Sequence, residues 1–247
     1  MEYRNITEGT FVARPNRFIA RVMIGGKEET VHVKNTGRCR ELLMPGAKVF
    51  LERSENPARK TAFDLVAVVK EGLGLVNMDS QAPNRVVGEW LSSQRSGQTT
   101  LEHRQKEEAR QEDSILPGPV SAVHPEYTYG NSRMDFYFEC GGEKCLMEVK
   151  GVTLERNRIA YFPDAPTQRG VKHIRELEAA QGKGYHCYLA FVIQMPGITE
   201  VYPNDETHPA FGEALRQAYQ NGVQVLALEC DIQKNGLSIC QARRMNY

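Results

Sequence analysis

Residues 132–138 have the sequence SRMDFYF, and after a two-glycine turn residues 146–151 have the sequence LMEVKG. Both arms alternate side chains between two faces with a period of two, as the strands of a β-hairpin do. Asp135 lies on one face of the first arm, and Glu148 and Lys150 share a face of the second. If these faces coincide, Asp135 is a cross-strand neighbour of Glu148 and Lys150. The hairpin therefore predicts two carboxylates and an amine within a few ångströms of one another.

This set of side chains is typical of a divalent-metal site. Asp135 and Glu148 offer hard oxygen ligands that suit Mg²⁺ or Mn²⁺, and Glu126, ahead of the hairpin, is a candidate third acid. Lys150 is placed to orient or deprotonate a water for attack on phosphorus. Glu-x-Lys alone is a weak signal, because solvated strands with alternating charge produce it often. The accompanying Asp135 and a basic segment further along the chain strengthen it.

That basic segment opens a helix predicted over residues 167–180. Arg169, Lys172 and His173 lie near its beginning, where free backbone N–H groups also favour a phosphate. The alternative is a solvated first turn, although basic residues there oppose the helix dipole. With Arg133 in the hairpin, these residues are the candidate phosphate contacts of the second half.

The second half, residues 115–247, alternates strands and helices. After the hairpin and the first helix, the pattern predicts a strand over 186–194, a helix over 209–220 and a strand over 223–228. This order is typical of an α/β domain with a mixed sheet, in which the hairpin supplies the first two strands.

The first half, residues 1–80, reads as short strands separated by turn signals. We place them at residues 10–13, 18–24, 30–33, 47–52, 63–69 and 75–78. A single helical turn, capped by Asn35 or Thr36, is predicted between the third and fourth strands. This arrangement matches an all-β barrel of the oligonucleotide-binding (OB) type, which commonly holds single-stranded nucleic acid or sugars.

Arg17 and Arg38 are the candidate phosphate contacts in the barrel, Arg38 lying near the start of the predicted helical turn. The alternative is that both arginines are simply solvated loop residues, since a fold does not imply a function. Phe11 and Phe18 occupy strand positions and are predicted to lie in the core.

Residues 81–114 separate the two halves. A helix is predicted over 85–91, and the polar stretch that follows, residues 92–114, is interpreted as a solvated helix face or a mobile connector.

The composition indicates a globular protein: 40% of the 247 residues are hydrophobic and 25% are charged. No apolar run approaches the roughly 20 residues of a membrane span, and the start lacks signal-peptide features, so we expect a cytoplasmic protein without a membrane partner. The six cysteines are expected to be reduced, and without CxxC or HxxxH pairs a zinc site has little support.

The charges balance, with 31 basic and 31 acidic residues. Nucleic-acid-binding domains are usually basic, so contact with phosphates must come from local patches rather than a global field.

Six sequence blocks carry a recognisable pattern: 13–18 (ARPNRF), 33–39 (VKNTGRC) with 42–43 and 45–47, 56–61 (NPARKT), 129–136 (YGNSRMDF), 148–154 (EVKGVTL) and 162–173 (FPDAPTQRGVKH). In this order, over nearly the whole chain, they resemble the sugar fermentation stimulation protein A family. The resemblance implies an N-terminal OB-like barrel and a C-terminal restriction-endonuclease-like domain of the PD-(D/E)xK type. It places the family's metal-site pattern on Asp135, Glu148 and Lys150.

The function that these observations predict is binding of DNA or RNA with divalent-metal-dependent hydrolysis of phosphodiester bonds. One alternative is a non-catalytic DNA-binding regulator, which the family resemblance links to sugar utilisation. A second is a binder of a small phosphorylated ligand between the domains. A homodimer is compatible with all three, and the sequence does not distinguish DNA from RNA or endonuclease from exonuclease action.

Overall fold

The computed structural model describes residues 1–35, 37, 39–95, 115–198, 200–245 and 247. These residues form fifteen strands and three helices, arranged as a β-barrel followed by an α/β domain. Within this part of the chain no helix is long and apolar enough to cross a bilayer. All six cysteines are free thiols, and Cys240 is the one that is exposed.

The barrel is built from strands β1 to β6, which are Ile6–Asn16, Ile19–Ile24, Lys27–Val33, Lys48–Arg53, Phe63–Lys70 and Gly74–Asn77. Their order is β3-β2-β1-β4-β5-β6, and a parallel pairing of β3 with β5 closes the first five strands. Gly25 and Gly26 connect β2 to β3 with φ angles of 56° and 85°, which a two-residue hairpin turn favours. The predicted barrel is confirmed.

The described residues between β3 and β4 include two hydrogen bonds typical of turns. The Asn35 side chain accepts a hydrogen bond from the Gly37 N–H at 2.8 Å, and the Leu43 N–H donates to the Cys39 carbonyl at 2.9 Å. The described part of this segment thus has a hydrogen-bonded turn where one was predicted. Thr36 and Arg38, the latter a predicted phosphate contact, lie outside the described residues.

The three helices are α1 (Ala82–Ser93), α2 (Gln168–Gln181) and α3 (Pro209–Gln220). Helix α1 begins three residues before its predicted start because Pro83 fits the first turn, where its missing N–H has no intrahelical partner to lose. Most of the predicted polar connector, residues 96–114, lies outside the described residues.

The α/β domain contains strands β7 to β15, which are Val120–Tyr129, Ser132–Cys140, Glu143–Val152, Leu154–Arg156, Ile159–Phe162, His186–Ile193, Glu200–Pro203, Gln224–Gln233 and Gly236–Arg244. Six of them form a mixed sheet in the order β15-β14-β12-β9-β8-β7, in which β9, β12 and β14 run parallel. Helices α2 and α3 cover one face, and α1 covers the other. The predicted mixed sheet is confirmed.

The expectation that the hairpin supplies the first two strands of this sheet was wrong, because β7 precedes β8 and pairs with it. The sequence pattern also missed β10, β11, β13 and β15; the first three form a separate small sheet. Strands of three or four residues, such as β10 and β13, are too short to show a period of two.

The two halves share one hydrophobic core, in which Val76 and Met78 of the barrel belong to the same buried cluster as Ile193 and Met195 of the α/β domain. The chain start also joins them, since the Met1 ammonium lies 2.6 Å from Glu89 and 2.7 Å from the Leu237 carbonyl.

A buried polar network lies beside this shared core, and we call it the Lys34 network. The Lys34 ammonium lies 3.6 Å from Glu52, 3.4 Å from Asp64 and 3.6 Å from Asp79. Asp79 also accepts the N–H of Gln81 just ahead of α1, at 2.9 Å. The network therefore links the barrel wall to the helix that follows the barrel.

Candidate active site

The hairpin of β8 and β9 has the predicted register. Phe136 lies opposite Met147, so the next position along the two strands places Asp135 opposite Glu148. The Asp135 carboxylate is held by two neutral donors, the Asn84 amide at 2.7 Å and the Val149 N–H at 2.7 Å. Helix α1 thus reaches across to fix the first acid of the site.

Glu148 is almost fully buried, with 2% of its surface exposed. Its Oε1 accepts hydrogen bonds from Lys150 Nζ at 2.5 Å and from His173 Nδ1. Its Oε2 is also buried but has no hydrogen-bond partner among the described residues. A buried carboxylate oxygen without a donor loses its hydration without compensation, which is unfavourable unless a ligand occupies the position.

The two carboxyl groups are shifted in opposite directions. Burial raises the pKa of Asp135, and the negative charge of Glu148 adds to the rise, against the hydrogen bonds from Val149 and Asn84. Burial also acts to raise the pKa of Glu148, but the hydrogen bond from His173 and the charge of Lys150 outweigh it and lower that pKa. The protein partners of Glu148 therefore stabilise its charged form, whereas those of Asp135 do not fully compensate for its burial.

His173 connects the site to helix α2. The helix begins after Thr167, whose hydroxyl accepts the Gly170 N–H at 3.0 Å, and this cap sets the first turn beside the sheet. One helical turn after Arg169, the His173 ring is buried and accepts a hydrogen bond at Nε2 from Arg169 Nε, 3.3 Å away.

A surface groove of about 550 Å³ opens between the β7–β8 turn and the start of α2. Arg133, Arg169 and Lys172 line it together with His173. The Arg133 and Lys172 side chains are 62% and 57% exposed, so their charges face solvent at the groove. The groove has the dimensions and charge to hold phosphate groups beside His173, the hydrogen-bond partner of Glu148.

The structure brings together most of the predicted site residues. Asp135, Glu148 and Lys150 form the predicted cluster, and Arg133, Arg169 and Lys172 surround the adjoining groove.

Three predicted residues are placed differently. Glu126, expected as a third acid, is 68% exposed and pairs with Arg133 at 3.4 Å. His173 was expected to contact phosphate, but both of its ring nitrogens are engaged by Glu148 and Arg169. Arg17 is exposed on the barrel, with its guanidinium 5.5 Å from the Phe18 ring centre, and does not line the groove.

The sequence pattern missed the contribution of Asn84, because nothing local marks a residue 51 positions away as a partner of Asp135. It also placed Phe18 in the core, and this was wrong: 51% of Phe18 is exposed, whereas Phe11 is buried as predicted. Phe18 lies in the turn between β1 and β2, so the alternation of a strand does not determine its direction.

The protein groups fit a divalent cation bound with few protein ligands. Among the described residues no group of three or more His, Cys, Asp or Glu side chains could hold a metal by themselves. Mg²⁺ characteristically uses only one or two carboxylates and completes its shell with waters and substrate phosphates. The buried, unpartnered Oε2 of Glu148 is the protein atom that fits this requirement best.

Two family models match the chain. The model described as the SfsA N-terminal OB domain matches residues 12–78, and the model described as the sugar fermentation stimulation protein RE domain matches residues 81–236. Together they cover the barrel and most of the α/β domain.

Three curated relatives, each named sugar fermentation stimulation protein homolog, match over nearly their full length. The protein of Desulfitobacterium hafniense is 50% identical over 237 residues, covering 96% of this chain and 94% of its own. That of Ruminiclostridium cellulolyticum is 48% identical over 239 residues, with coverages of 97% and 96%. That of Alkaliphilus oremlandii is 46% identical over 252 residues, with coverages of 100% and 99%.

A solved structure shows the same fold. It is the structure of Pyrococcus furiosus SfsA in complex with Ca²⁺, which aligns with a TM-score of 0.76 and 24% identity over 98% of this chain and 96% of that chain.

Proposed function

The chain belongs to the sugar fermentation stimulation protein (SfsA) family, and from this premise we propose that it binds nucleic acid and hydrolyses phosphodiester bonds with the help of Mg²⁺ or Mn²⁺. The observation that carries the proposal is the buried Glu148 Oε2, which has no protein partner among the described residues. The other oxygen of this carboxylate meets His173, which lines the basic groove. A site that serves only stability would be expected to pair Oε2 as well.

Asp135 and Glu148 would hold the cation. When bound, it supplies positive charge that polarises a phosphoryl oxygen and makes a water more acidic. Asp135 needs no rearrangement to take part, because Asn84 and Val149 fix its orientation and each carboxylate oxygen retains a second lone pair.

Lys150 would act on the attacking water. Its ammonium is anchored at 2.5 Å from Glu148 and is 14% exposed, so it can donate a hydrogen bond at the edge of the site. Orienting the water in this way favours in-line attack on phosphorus, with departure of the opposite ester oxygen.

Arg133, Arg169 and Lys172 would hold the phosphates of the nucleic acid. Since the chain has no net charge, this local patch supplies the attraction, and binding should weaken as salt is added in proportion to the phosphates contacted.

Incubation with single- and double-stranded DNA and RNA tests the proposal, with Mg²⁺, Mn²⁺, Ca²⁺ or EDTA. Ca²⁺ is included because P. furiosus SfsA was solved with it. Lys150→Ala should lower the cleavage rate at least about 100-fold, while Lys144→Ala, an exposed lysine of the same strand, should leave it unchanged. Equal cleavage by wild type and Lys150→Ala would contradict a nuclease.

The alternatives give different results in the same assay. Binding without cleavage, insensitive to divalent cations, would identify a non-catalytic nucleic-acid-binding protein. Binding of mononucleotides in preference to oligonucleotides, measured by calorimetry, would identify a binder of small phosphorylated ligands.

A further inference from the structure

Three side chains form a continuous hydrogen-bonded path from the groove to the buried acid. Arg169 lies at the groove, His173 is 5% exposed, and Glu148 is 2% exposed. Arg169 Nε meets His173 Nε2, and His173 Nδ1 meets Glu148 Oε1. Residues 169 and 173 lie one turn apart on α2, so the helix presents both to the same side.

The partners of His173 determine which nitrogen carries the proton. An arginine side chain only donates hydrogen bonds, so His173 Nε2 must accept the bond from Arg169. In a neutral imidazole the proton then lies on Nδ1, which donates it to Glu148 Oε1. Arg169 thus favours the Nδ1–H form, and Glu148 accepts the hydrogen bond that this form donates.

This donation determines how Glu148 is oriented. With Oε1 occupied by His173 and Lys150, the carboxylate plane is set and Oε2 is the oxygen left without a partner among the described residues. Partners that hold a ligating group in this way tune metal affinity without touching the metal, and their loss commonly weakens binding about 10- to 100-fold.

We infer that His173 is a positioning residue with two separable tasks: its Nδ1–H presents Glu148 Oε2 to the divalent cation, and its Nε2 holds Arg169 at the phosphate groove. The inference rests on the proposed function, because it assigns a role to His173 within that same site. It replaces the direct phosphate contact that the sequence pattern predicted for this residue.

The two tasks can be separated by two substitutions. The amide nitrogen of His173→Asn falls near the position of Nδ1 and preserves a donor to Glu148. The amide oxygen of His173→Gln falls near the position of Nε2 and preserves an acceptor for Arg169. Each variant therefore retains one of the two hydrogen bonds.

Calorimetric titration with Mn²⁺ alone, without nucleic acid, measures the first task. His173→Asn should stay within about 3-fold of wild type, whereas His173→Gln should bind Mn²⁺ about 10- to 100-fold more weakly. Titration with a single-stranded oligonucleotide in EDTA measures the second task. In this titration His173→Asn should bind the oligonucleotide more weakly than His173→Gln does.

The outcomes separate this inference from the proposed function. Equal Mn²⁺ affinity of wild type and His173→Gln overturns the role of His173 and leaves the proposed nuclease standing. Failure of wild type to bind Mn²⁺ overturns both. Both conclusions come from Mn²⁺ binding, so neither requires a measurement of nuclease activity.

Two further measurements do not depend on whether the His173 variants fold. A long-range ¹H–¹⁵N NMR spectrum of the wild-type protein should show the His173 proton on Nδ1, and a proton on Nε2 alone would overturn the inference. Arg169→Gln, an exposed change, should weaken oligonucleotide binding and keep Mn²⁺ affinity within about 3-fold of wild type. A loss of Mn²⁺ affinity in this variant as large as that predicted for His173→Gln would contradict the division of tasks.

Discussion

The Lys34 network and the Glu148 site use the same kinds of side chain with opposite results. Each combines carboxylates, a lysine and a histidine in a largely buried setting. The histidine is His32, beside Asp64, in the Lys34 network and His173 at the site. In the Lys34 network every carboxylate oxygen of Glu52, Asp64 and Asp79 has a partner within 3.6 Å. At the site, Glu148 Oε2 has none among the described residues.

The pKa shifts of the acids also differ between the two clusters. Burial acts to raise the pKa of Asp64, yet the hydrogen bonds from Arg59 and the charge of Lys34 lower it to about 2. At the other cluster, burial and Glu148 raise the pKa of Asp135. A network that compensates its own acids stabilises the fold, whereas one that leaves an acid uncompensated is suited to an added positive charge.

Removing the lysine from each cluster gives the largest expected contrast. Lys34→Met should lower the free energy of unfolding by about 3 to 5 kcal/mol, because Glu52 and Asp79 lose their cationic partner. Lys150→Met should lower it by about 1 to 2 kcal/mol, because Glu148 keeps the hydrogen bond from His173. Urea unfolding in EDTA measures both.

Added Mg²⁺ should reduce the difference in the free energy of unfolding between Lys150→Met and wild type, because the cation replaces the lost ammonium charge beside Glu148. It should leave the deficit of Lys34→Met unchanged. Rescue of both variants, or of neither, would remove the distinction between the two clusters.

Acid should weaken the Lys34 network through Asp64. Its folded pKa is about 2, below the unfolded value, so its contribution is present above roughly pH 4 and is lost as the pH falls toward 2. Wild type should lose about 2 kcal/mol more stability over this interval than Asp64→Asn. Asp231→Asn, at an exposed strand position, is the control and should follow the wild-type profile in urea titrations at each pH.

Two of the barrel's phenylalanines, Phe11 and Phe18, test whether its surface does more than support the fold. Phe18→Ala should weaken single-stranded oligonucleotide binding by about 1 kcal/mol, the lower end of a base-stacking contribution, with little loss of stability. Phe11 is 3% exposed, so Phe11→Ala should mainly destabilise the protein. Unchanged affinity in Phe18→Ala by fluorescence anisotropy would assign nucleic-acid binding to the groove without this ring.

The smallest effect is expected at Glu126. Because its exposed carboxylate pairs with Arg133, Glu126→Ala should change Mn²⁺ affinity by less than about 2-fold and stability by less than about 0.5 kcal/mol. Calorimetry provides the measurement, and a 10-fold weaker Mn²⁺ affinity would restore Glu126 as a third ligand.

Much of the fold and the centre of the site could be predicted from local pattern. Alternation over residues 132–138 and 146–151 predicted the hairpin, and the register of a hairpin then places Asp135 opposite Glu148. The turn glycines and short strands predicted the barrel, and apolar spacing predicted α2 and α3. These features depend on residues close together in the chain, so they could be predicted without a structure.

The rest of the site depends on contacts between residues that are far apart in the chain. Asn84 comes from α1, and His173 comes from α2, 25 residues after Glu148 in the chain. Glu126 and Phe18 turn away from their predicted places because neighbouring side chains and turns, not alternation, determine their directions. Which carboxylate oxygen remains without a partner depends on all of these contacts at once, and no local periodicity records them.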